Sequence, residues 1–157
     1  QREMHPLVGA NLIVRRQLFE EAGVFNTQFG PGAGTYGDDT EICLRWEKKN
    51  KKLFYAGTVQ VWHPVVKERM TLGYIARWNR ACGRYAVVLG AGRVPAGIVC
   101  CGGVPRYLIR RILTHAFKLS MSFLNKKEFL THWVSLFREI GTAQAYRQFR
   151  PDLVKGK

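Results

Sequence analysis

The chain is organised around a glycine-rich loop that turns through two adjacent carboxylates into a helix, Gly34-Thr35-Tyr36-Gly37-Asp38-Asp39-Thr40-Glu41-Ile42-Cys43-Leu44-Arg45-Trp46-Glu47. An Asp side chain at a helix start accepts hydrogen bonds from the unpaired N–H groups of the first turn, so Asp38 or Asp39 can cap this helix. Glycines upstream let the backbone approach a bulky partner closely, and a carboxylate on such a rim can also act as a general base. The local pattern leaves both interpretations open.

The segments around this stretch predict an alternation of strands and helices. A short apolar run containing Asn11 as its one polar residue predicts a buried strand. Gly23 is a suitable terminator for the first helix, and Phe25 and Phe29 are expected to pack the following loop onto the sheet. We expect strands over 7–14, 52–56 and 59–63 and helices over 17–22 and 40–50.

Five short motifs follow one another in this half of the chain: Gly9-Ala10-Asn11, Arg15-Arg16, Gly23-Val24-Phe25, Asp38-Asp39 and His63-Pro64. Their order and spacing resemble the acceptor-side half of an inverting family 2 glycosyltransferase with a GT-A type fold, over residues 5 to 90. The resemblance implies an α/β fold that is α+β within this stretch. It would be the C-terminal part of a GT-A-like mixed sheet with helices, followed by amphipathic C-terminal helices.

The resemblance also implies roles for particular residues. Asp39 would take the proton from an acceptor hydroxyl, and Asp38, where family members usually have Glu, would position it. His63 would help to hold a divalent metal, Mg²⁺ or Mn²⁺, whose other ligands belong mostly to a preceding nucleotide-binding half, because this chain lacks an Asp-x-Asp segment. Substrate binding would fall to Asn11, Arg77, Trp78 and Arg80.

Structural alternatives to these roles remain open from the sequence alone. Asn11 can be a satisfied core or edge amide, His63 a structural histidine, and the arginines a solvated or lipid-facing helix surface. Processive members of the family carry Gln-x-x-Arg-Trp, whereas this chain has Tyr74-Ile75-Ala76-Arg77-Trp78. The missing Gln favours transfer of a single sugar.

The positive charge lies almost entirely in the second half of the chain. Of the net charge of +14, residues 1–66 contribute eight Lys/Arg against seven Asp/Glu, and residues 67–157 contribute seventeen against four. Such an excess predicts an anionic partner, either nucleic acid, a phospholipid surface or a phosphorylated substrate. Arginines interleaved with aromatic residues keep a basic nucleic-acid-binding module as the alternative to an enzyme.

The second half is predicted to be helical, over 69–89, 105–124 and 125–140, with a break at 90–103 and Gly141 ending the last helix. From 105 onward, cationic residues lie opposite one apolar arc, which suits either a helix lying in a membrane surface or a helix packed on its own domain. The arc consists of Leu108, Ile109, Ile112, Leu113, Ala116, Leu119 and Phe123.

Together these patterns give a two-part interpretation. Residues 1–90 would be the acceptor-side half of a catalytic domain that lacks its nucleotide-binding half and is inactive alone. Residues 91–157 would be a basic amphipathic extension on the cytoplasmic face of a membrane, as a peripheral or monotopic protein. The expected partners are a nucleotide-sugar donor, a saccharide or lipid-linked acceptor in cell-surface polysaccharide or glycolipid synthesis, and an anionic membrane surface, with no nucleic acid.

Overall fold

A computed structural model describes residues 2–3, 9–27, 29–30, 36–89 and 98–149. Across these ranges the chain is a helix-rich α+β protein that divides into two compact units, residues 1–65 and 66–157. The helices are α1 (Arg16–Ala22), α2 (Asp38–Lys48), α3 (Leu72–Val88), α4 (Arg106–Met121) and α5 (Lys126–Phe149), and the strands are β1 (Arg2–Glu3), β2 (Phe54–Tyr55), β3 (Cys100–Cys101) and β4 (Val104–Pro105).

Helix α2 forms the centre of the first unit. Ile42, Cys43 and Trp46 fall on one face because they are one and four residues apart, and all three are buried at 1% exposure or less. Ala22 at the end of α1 and Leu53 after α2 complete the buried cluster. Leu12, Val14, Leu18 and Phe19 pack against it. The core thus fixes α2, and with it the two carboxylates of its first turn.

The strands of the first unit are much shorter than the sequence predicts. β1 pairs with β2 antiparallel, Arg2 opposite Tyr55 and Glu3 opposite Phe54. The strand expected over 52–56 is reduced to those two residues. The strand expected over 7–14 is wrong from residue 9 onward, where Gly9–Asn11 is a 3₁₀ turn and 12–15 is irregular, while residues 7 and 8 lie outside the described ranges.

The third predicted strand, over 59–63, is also wrong. Val59, Val61 and Trp62 are 46%, 54% and 91% exposed, and the segment has no strand geometry. Aromatic and β-branched residues favour a strand only when a neighbouring strand satisfies their backbone groups and covers one face. Among the described residues no strand runs beside this segment.

The second unit is built on a close crossing of α3 and α5. Gly83 and Gly141 face the partner helix so closely that a Cβ at either position would overlap a backbone carbonyl oxygen, that of Arg138 or Arg80 respectively. The hydroxyl of Thr142 donates to the carbonyl of Gly83 at 3.2 Å. The prediction that Gly141 ends the last helix is wrong, because here glycine allows two backbones to meet and α5 continues to Phe149.

Helix α4 and the β3–β4 hairpin pack on the same crossing. Val87, Val104, Leu108, Ala145 and Tyr146 form their shared buried cluster. The predicted helices over 69–89 and 105–124 are confirmed as α3 and α4, with α3 beginning after Thr71, whose hydroxyl accepts the N–H of Tyr74 at 3.2 Å. The predicted break at 90–103 lies partly outside the described ranges, and its remaining residues, 98–103, enter the hairpin.

The division into compact units differs from the predicted division of the chain. Helix α3 lies within the part that the sequence predicts to end at residue 90, whereas it packs against α5 in the second unit. The different position of the boundary does not test the functions that the sequence predicts for the two parts. Of the helices that the structure describes, none combines the length and apolar character that crossing a membrane requires.

Two histidines meet between α4 and α5. Their Nδ1 atoms are 3.2 Å apart in the pair His115 and His132, and the ring centroids are 5.5 Å apart. Burial, followed by the neighbouring His132, holds the pKa of His115 below its usual 6.5. Glu139 raises that pKa, and Arg111 and Lys118 lower it further. The folded state therefore favours a neutral imidazole at this position.

Because the unfolded chain binds a proton at His115 near pH 6.5 and the folded chain only at lower pH, the unfolded state holds more protons between these values. We expect the free energy of unfolding of the second unit to be unaffected by His115 above pH 6.5. It should decrease as the pH falls from 6.5 through the lowered pKa of His115. Urea unfolding midpoints of the second unit across this range measure the effect. A His115→Gln variant with the same pH dependence as the natural chain would contradict it.

Candidate functional site

Asp39 is fixed at the first turn of α2 by two backbone N–H groups. Its Oδ2 accepts the N–H of Gly9 at 2.8 Å, across thirty residues of sequence, and its Oδ1 accepts the N–H of Thr40 at 2.7 Å. A Cβ at Gly9 would lie 3.1 Å from the Cβ of Asp39, so glycine permits this approach. The hydroxyl of Thr40 also donates to Oδ1 at 3.4 Å, so Oδ2 is the oxygen that retains a second lone pair for a further donor.

Asp38 lies beside Gly30, which precedes the glycine-rich loop. Gly30 is buried with a φ of 101°, in the left-handed region, and a Cβ there would lie 3.4 Å from Cγ of Asp38. Gly37 is the N-cap residue of α2 and has no side chain to cap the helix, but the capping interpretation is confirmed in part, because Oδ1 of Asp39 accepts the first-turn N–H of Thr40. The positive end of the helix dipole still favours two negative charges in the first turn.

The two carboxylates open onto a cavity of about 590 Å³. Asp38 and Asp39 are each half-buried, so neither is sealed beneath packed side chains. The remaining lining residues come from the 3₁₀ turn and the segments around it: Gly9, Ala10, Leu12, Val14, Phe19, Phe25 and His63. Apolar walls with a few polar groups at one end are typical of a small-molecule site.

Asn11 joins two of the segments that border this cavity. Its Nδ2 donates to the carbonyl of Val59 at 2.9 Å, which ties the 3₁₀ turn to the stretch that carries His63. The side chain is exposed and hydrogen-bonded, so of the alternative that made it a satisfied core or edge amide the core position is wrong, and Asn11 is not among the residues that line the cavity. It positions the cavity wall between Ala10 and His63.

Arg45 orders the loop that brings Phe25 to the cavity. Its Nη1 donates to the carbonyl of Ala22 at 3.0 Å and its Nη2 to that of Val24 at 2.8 Å. The side chain also forms a two-point ion pair with Glu41, at 3.0 and 2.9 Å. The hydrogen bond with Glu41 raises the pKa of Arg45, which keeps the guanidinium charged.

We expect Arg45→Lys to destabilise the first unit by about 2 kcal/mol, since a lysine cannot reach both carbonyls and the carboxylate together. Thermal unfolding measures the loss. Arg16→Lys is the matched control, because the Arg16–Glu20 pair, at 3.7 Å, is almost fully exposed. Equal stability of the two variants would show that Arg45 does not organise the loop.

The other predicted site residues lie on α3 in the second unit. Arg77 is exposed, Trp78 is 42% exposed, and Nε of Arg80 donates to Oε1 of Gln144 on α5 at 2.7 Å. Arg80 therefore has a structural contact within its own unit. The substrate-binding roles of these three residues stay predictions.

His63 shares the cavity with the carboxylates, which is the arrangement a metal ligand would need. Across the described ranges, however, no three His, Cys, Asp or Glu side chains form a group that could hold a metal ion. The described residues do not by themselves make a complete metal site. The role of His63 as a ligand stays a prediction.

Two contributors to the site were missed or misassigned from sequence. Phe25 was assigned to packing, yet it is 41% exposed and lines the cavity beside Phe19, whose ring centroid is 6.1 Å away. Gly9 was noted as part of a motif, but nothing local indicates that its N–H binds Asp39. The five-motif order was the only sequence signal that pointed to either residue.

Comparison with protein-family models, with curated proteins and with solved structures finds no match to this chain. The resemblance to family 2 glycosyltransferases therefore rests on the five motifs themselves.

Proposed function

We propose that this chain provides the acceptor side of an inverting glycosyltransferase, which moves a single sugar from a nucleotide-sugar donor to a hydroxyl group. One observation carries the proposal: motifs far apart in sequence meet at one cavity. Gly9-Ala10, Phe25, Asp38-Asp39 and His63 all line it. A helix cap or a chance motif gives no reason for these segments to converge.

The geometry of Asp39 suits a base that acts on an alcohol. Both carboxylate oxygens are held by backbone N–H groups, so the group cannot rotate freely, and Oδ2 keeps a lone pair that can accept the proton of a hydroxyl. As the acceptor oxygen forms its bond to the anomeric carbon, its proton passes to Asp39 and the bond to the nucleoside diphosphate breaks. A single displacement of this kind inverts the anomeric configuration.

The other lining residues have complementary roles in this proposal. Asp38, held against Gly30, places a second charge beside Asp39 and receives a hydrogen bond from another acceptor hydroxyl. Phe19 and Phe25 offer apolar surface to the carbon face of a sugar ring. Arg77 and Arg80, with Trp78, are proposed to contact the donor on the strength of the resemblance alone.

The proposal is tested by assaying sugar transfer with the gene product expressed from its natural start codon. The protein is incubated with uridine, guanosine and thymidine diphosphate sugars and a mixture of saccharide and lipid-linked acceptors. We expect nucleoside diphosphate release that depends on an acceptor for at least one donor. Release that is the same without an acceptor, or none with any donor, would contradict the proposal.

A further inference from the structure

An apolar patch stands exposed at the tip of the α4–α5 hairpin. Leu113, Phe117 and Met121 are 64%, 67% and 66% exposed, and their spacing of four residues places them in one row along α4. The turn that follows adds Phe123 at 69% and Leu124 at 85%. We call these five residues the tip patch. An isolated exposed leucine is ordinary, but five neighbouring large apolar side chains mark an interaction surface.

The tip patch is not the apolar arc that the sequence predicted to face lipid. Three of its seven residues belong to the core, since Leu108 is 1% exposed and Ile109 and Ile112 pack on the buried cluster of the second unit. For these three residues the alternative of packing on the same domain is correct. Leu113, Ala116 and Phe123 of the predicted arc are exposed, and Leu113 and Phe123 belong to the tip patch.

Cations flank the tip patch along the chain. Arg106 and Arg110 lie on the same side of α4 one to two turns before Leu113, Lys118 lies beside the row, and Lys126 and Lys127 begin α5 directly after the turn. All five of these basic side chains are exposed. Of the acids on the same two helices, Glu139 is buried and paired with Arg111, which leaves Glu128.

We propose that the tip patch enters the headgroup region of an anionic lipid bilayer while the flanking cations contact lipid phosphates. The row from Leu113 to Met121 is about 12 Å long at 1.5 Å per residue, so α4 lies along the surface with the hairpin turn inserted. Each apolar side chain leaves water, and each nearby Lys or Arg gains from the negative surface potential.

The charges favour a bilayer over the other occupants of an apolar face. A second copy of this chain would bring the same five cations against one another, which opposes association. A nucleic acid would satisfy the cations, and a base could stack on Phe117, but its phosphates and bases leave the aliphatic side chains of Leu113 and Met121 without a partner. This inference does not depend on the proposed function, because it uses only residues of the second unit.

Flotation of the whole chain with phospholipid vesicles tests the proposal. We expect binding to vesicles of equal parts phosphatidylcholine and phosphatidylglycerol, weaker binding to phosphatidylcholine alone, and a loss of binding at high salt. Replacing the row by Leu113→Ser, Phe117→Ser and Met121→Ser lowers the partition coefficient by at least roughly tenfold, because burial of even one such side chain contributes about a tenfold change in an equilibrium constant.

The matched control is Ile13→Ser, Val24→Ser and Met70→Ser, which removes three side chains of similar exposure elsewhere in the chain. This control is expected to bind vesicles like the natural protein. Circular dichroism checks that both triple variants keep their helix content. The proposal is overturned if the natural chain does not bind anionic vesicles. It is also overturned if the two triple variants lose vesicle affinity equally, or if the variant of Leu113, Phe117 and Met121 keeps the natural affinity. It is also overturned if the chain shifts duplex DNA or RNA on a gel but leaves vesicles unbound.

Discussion

In the Asp39→Asn variant we expect the rate of sugar transfer to fall roughly a thousandfold, the size of effect that a positioned general base contributes. The Asn side chain is nearly isosteric and its oxygen can still accept the N–H of Gly9. It has no basic oxygen for the proton of an acceptor hydroxyl. Binding of the nucleotide sugar is expected to be unchanged, because the carboxylate acts on the acceptor. Initial rates and nucleotide affinity, measured on the same preparations, separate the two effects.

Asp38→Asn is the matched control for this prediction. It removes one negative charge from the same turn of the same helix, so it reports the effect of local charge on the rate. We expect a smaller loss than in Asp39→Asn, since the backbone N–H groups of Gly9 and Thr40 both donate to Asp39 and fix its carboxylate. A larger loss of transfer rate in Asp38→Asn would make Asp38 the general base and Asp39 the positioning residue.

The second large effect concerns stability. We expect Gly83→Ala to destabilise the second unit by more than about 3 kcal/mol, because the added methyl group overlaps the carbonyl of Arg138 and approaches the N–H of Thr142 at 2.9 Å. Backbone atoms cannot move aside as a flexible side chain can, so α3 and α5 must separate. The hydrogen bond from Thr142 to the carbonyl of Gly83 is then lost as well. Urea unfolding followed by helix circular dichroism measures the change.

Gly73→Ala is the control on the same helix. A Cβ at Gly73 would come no closer than 3.5 Å to Nη1 of Arg77, the movable end of an exposed side chain. Alanine also has the higher helix propensity, so this variant is expected to be neutral or slightly more stable. Gly141→Ala, whose methyl overlaps the carbonyl of Arg80, is expected to behave like Gly83→Ala. If all three variants have the same stability, the helices do not cross at these glycines.

The helices could be predicted from sequence because their signals are local. The apolar period of α2 lies within the residues that form the helix, and the helix predicted over 69–89 differs from α3 by three residues at its start, where Thr71 is the N-cap. The strands could not, since an isolated β-favouring segment such as 59–63 requires a partner that local sequence does not identify. Gly141 shows the same limit, because whether a glycine ends a helix or contacts another one depends on what packs against it.

In the candidate site, too, the local features could be predicted from sequence and the contacts between distant segments could not. The Asp38-Asp39 pair at a helix start was recognisable from the residues themselves. The bond between Gly9 and Asp39 joins residues thirty positions apart, and the contribution of Phe25 depends on how Arg45 holds the loop before it. Only the order of the motifs anticipated that these segments would meet. On α4 the sequence identified the apolar residues, but the position of α5 decides which of them remain exposed.

The configuration of the sugar product tests the account most directly. With an α-linked nucleotide sugar and the acceptor that supports diphosphate release, proton NMR of the purified product reports its anomeric configuration. Direct displacement by a hydroxyl whose proton passes to Asp39 predicts a β-linked product. An α-linked product, or release of free sugar with no linkage to the acceptor, would contradict it.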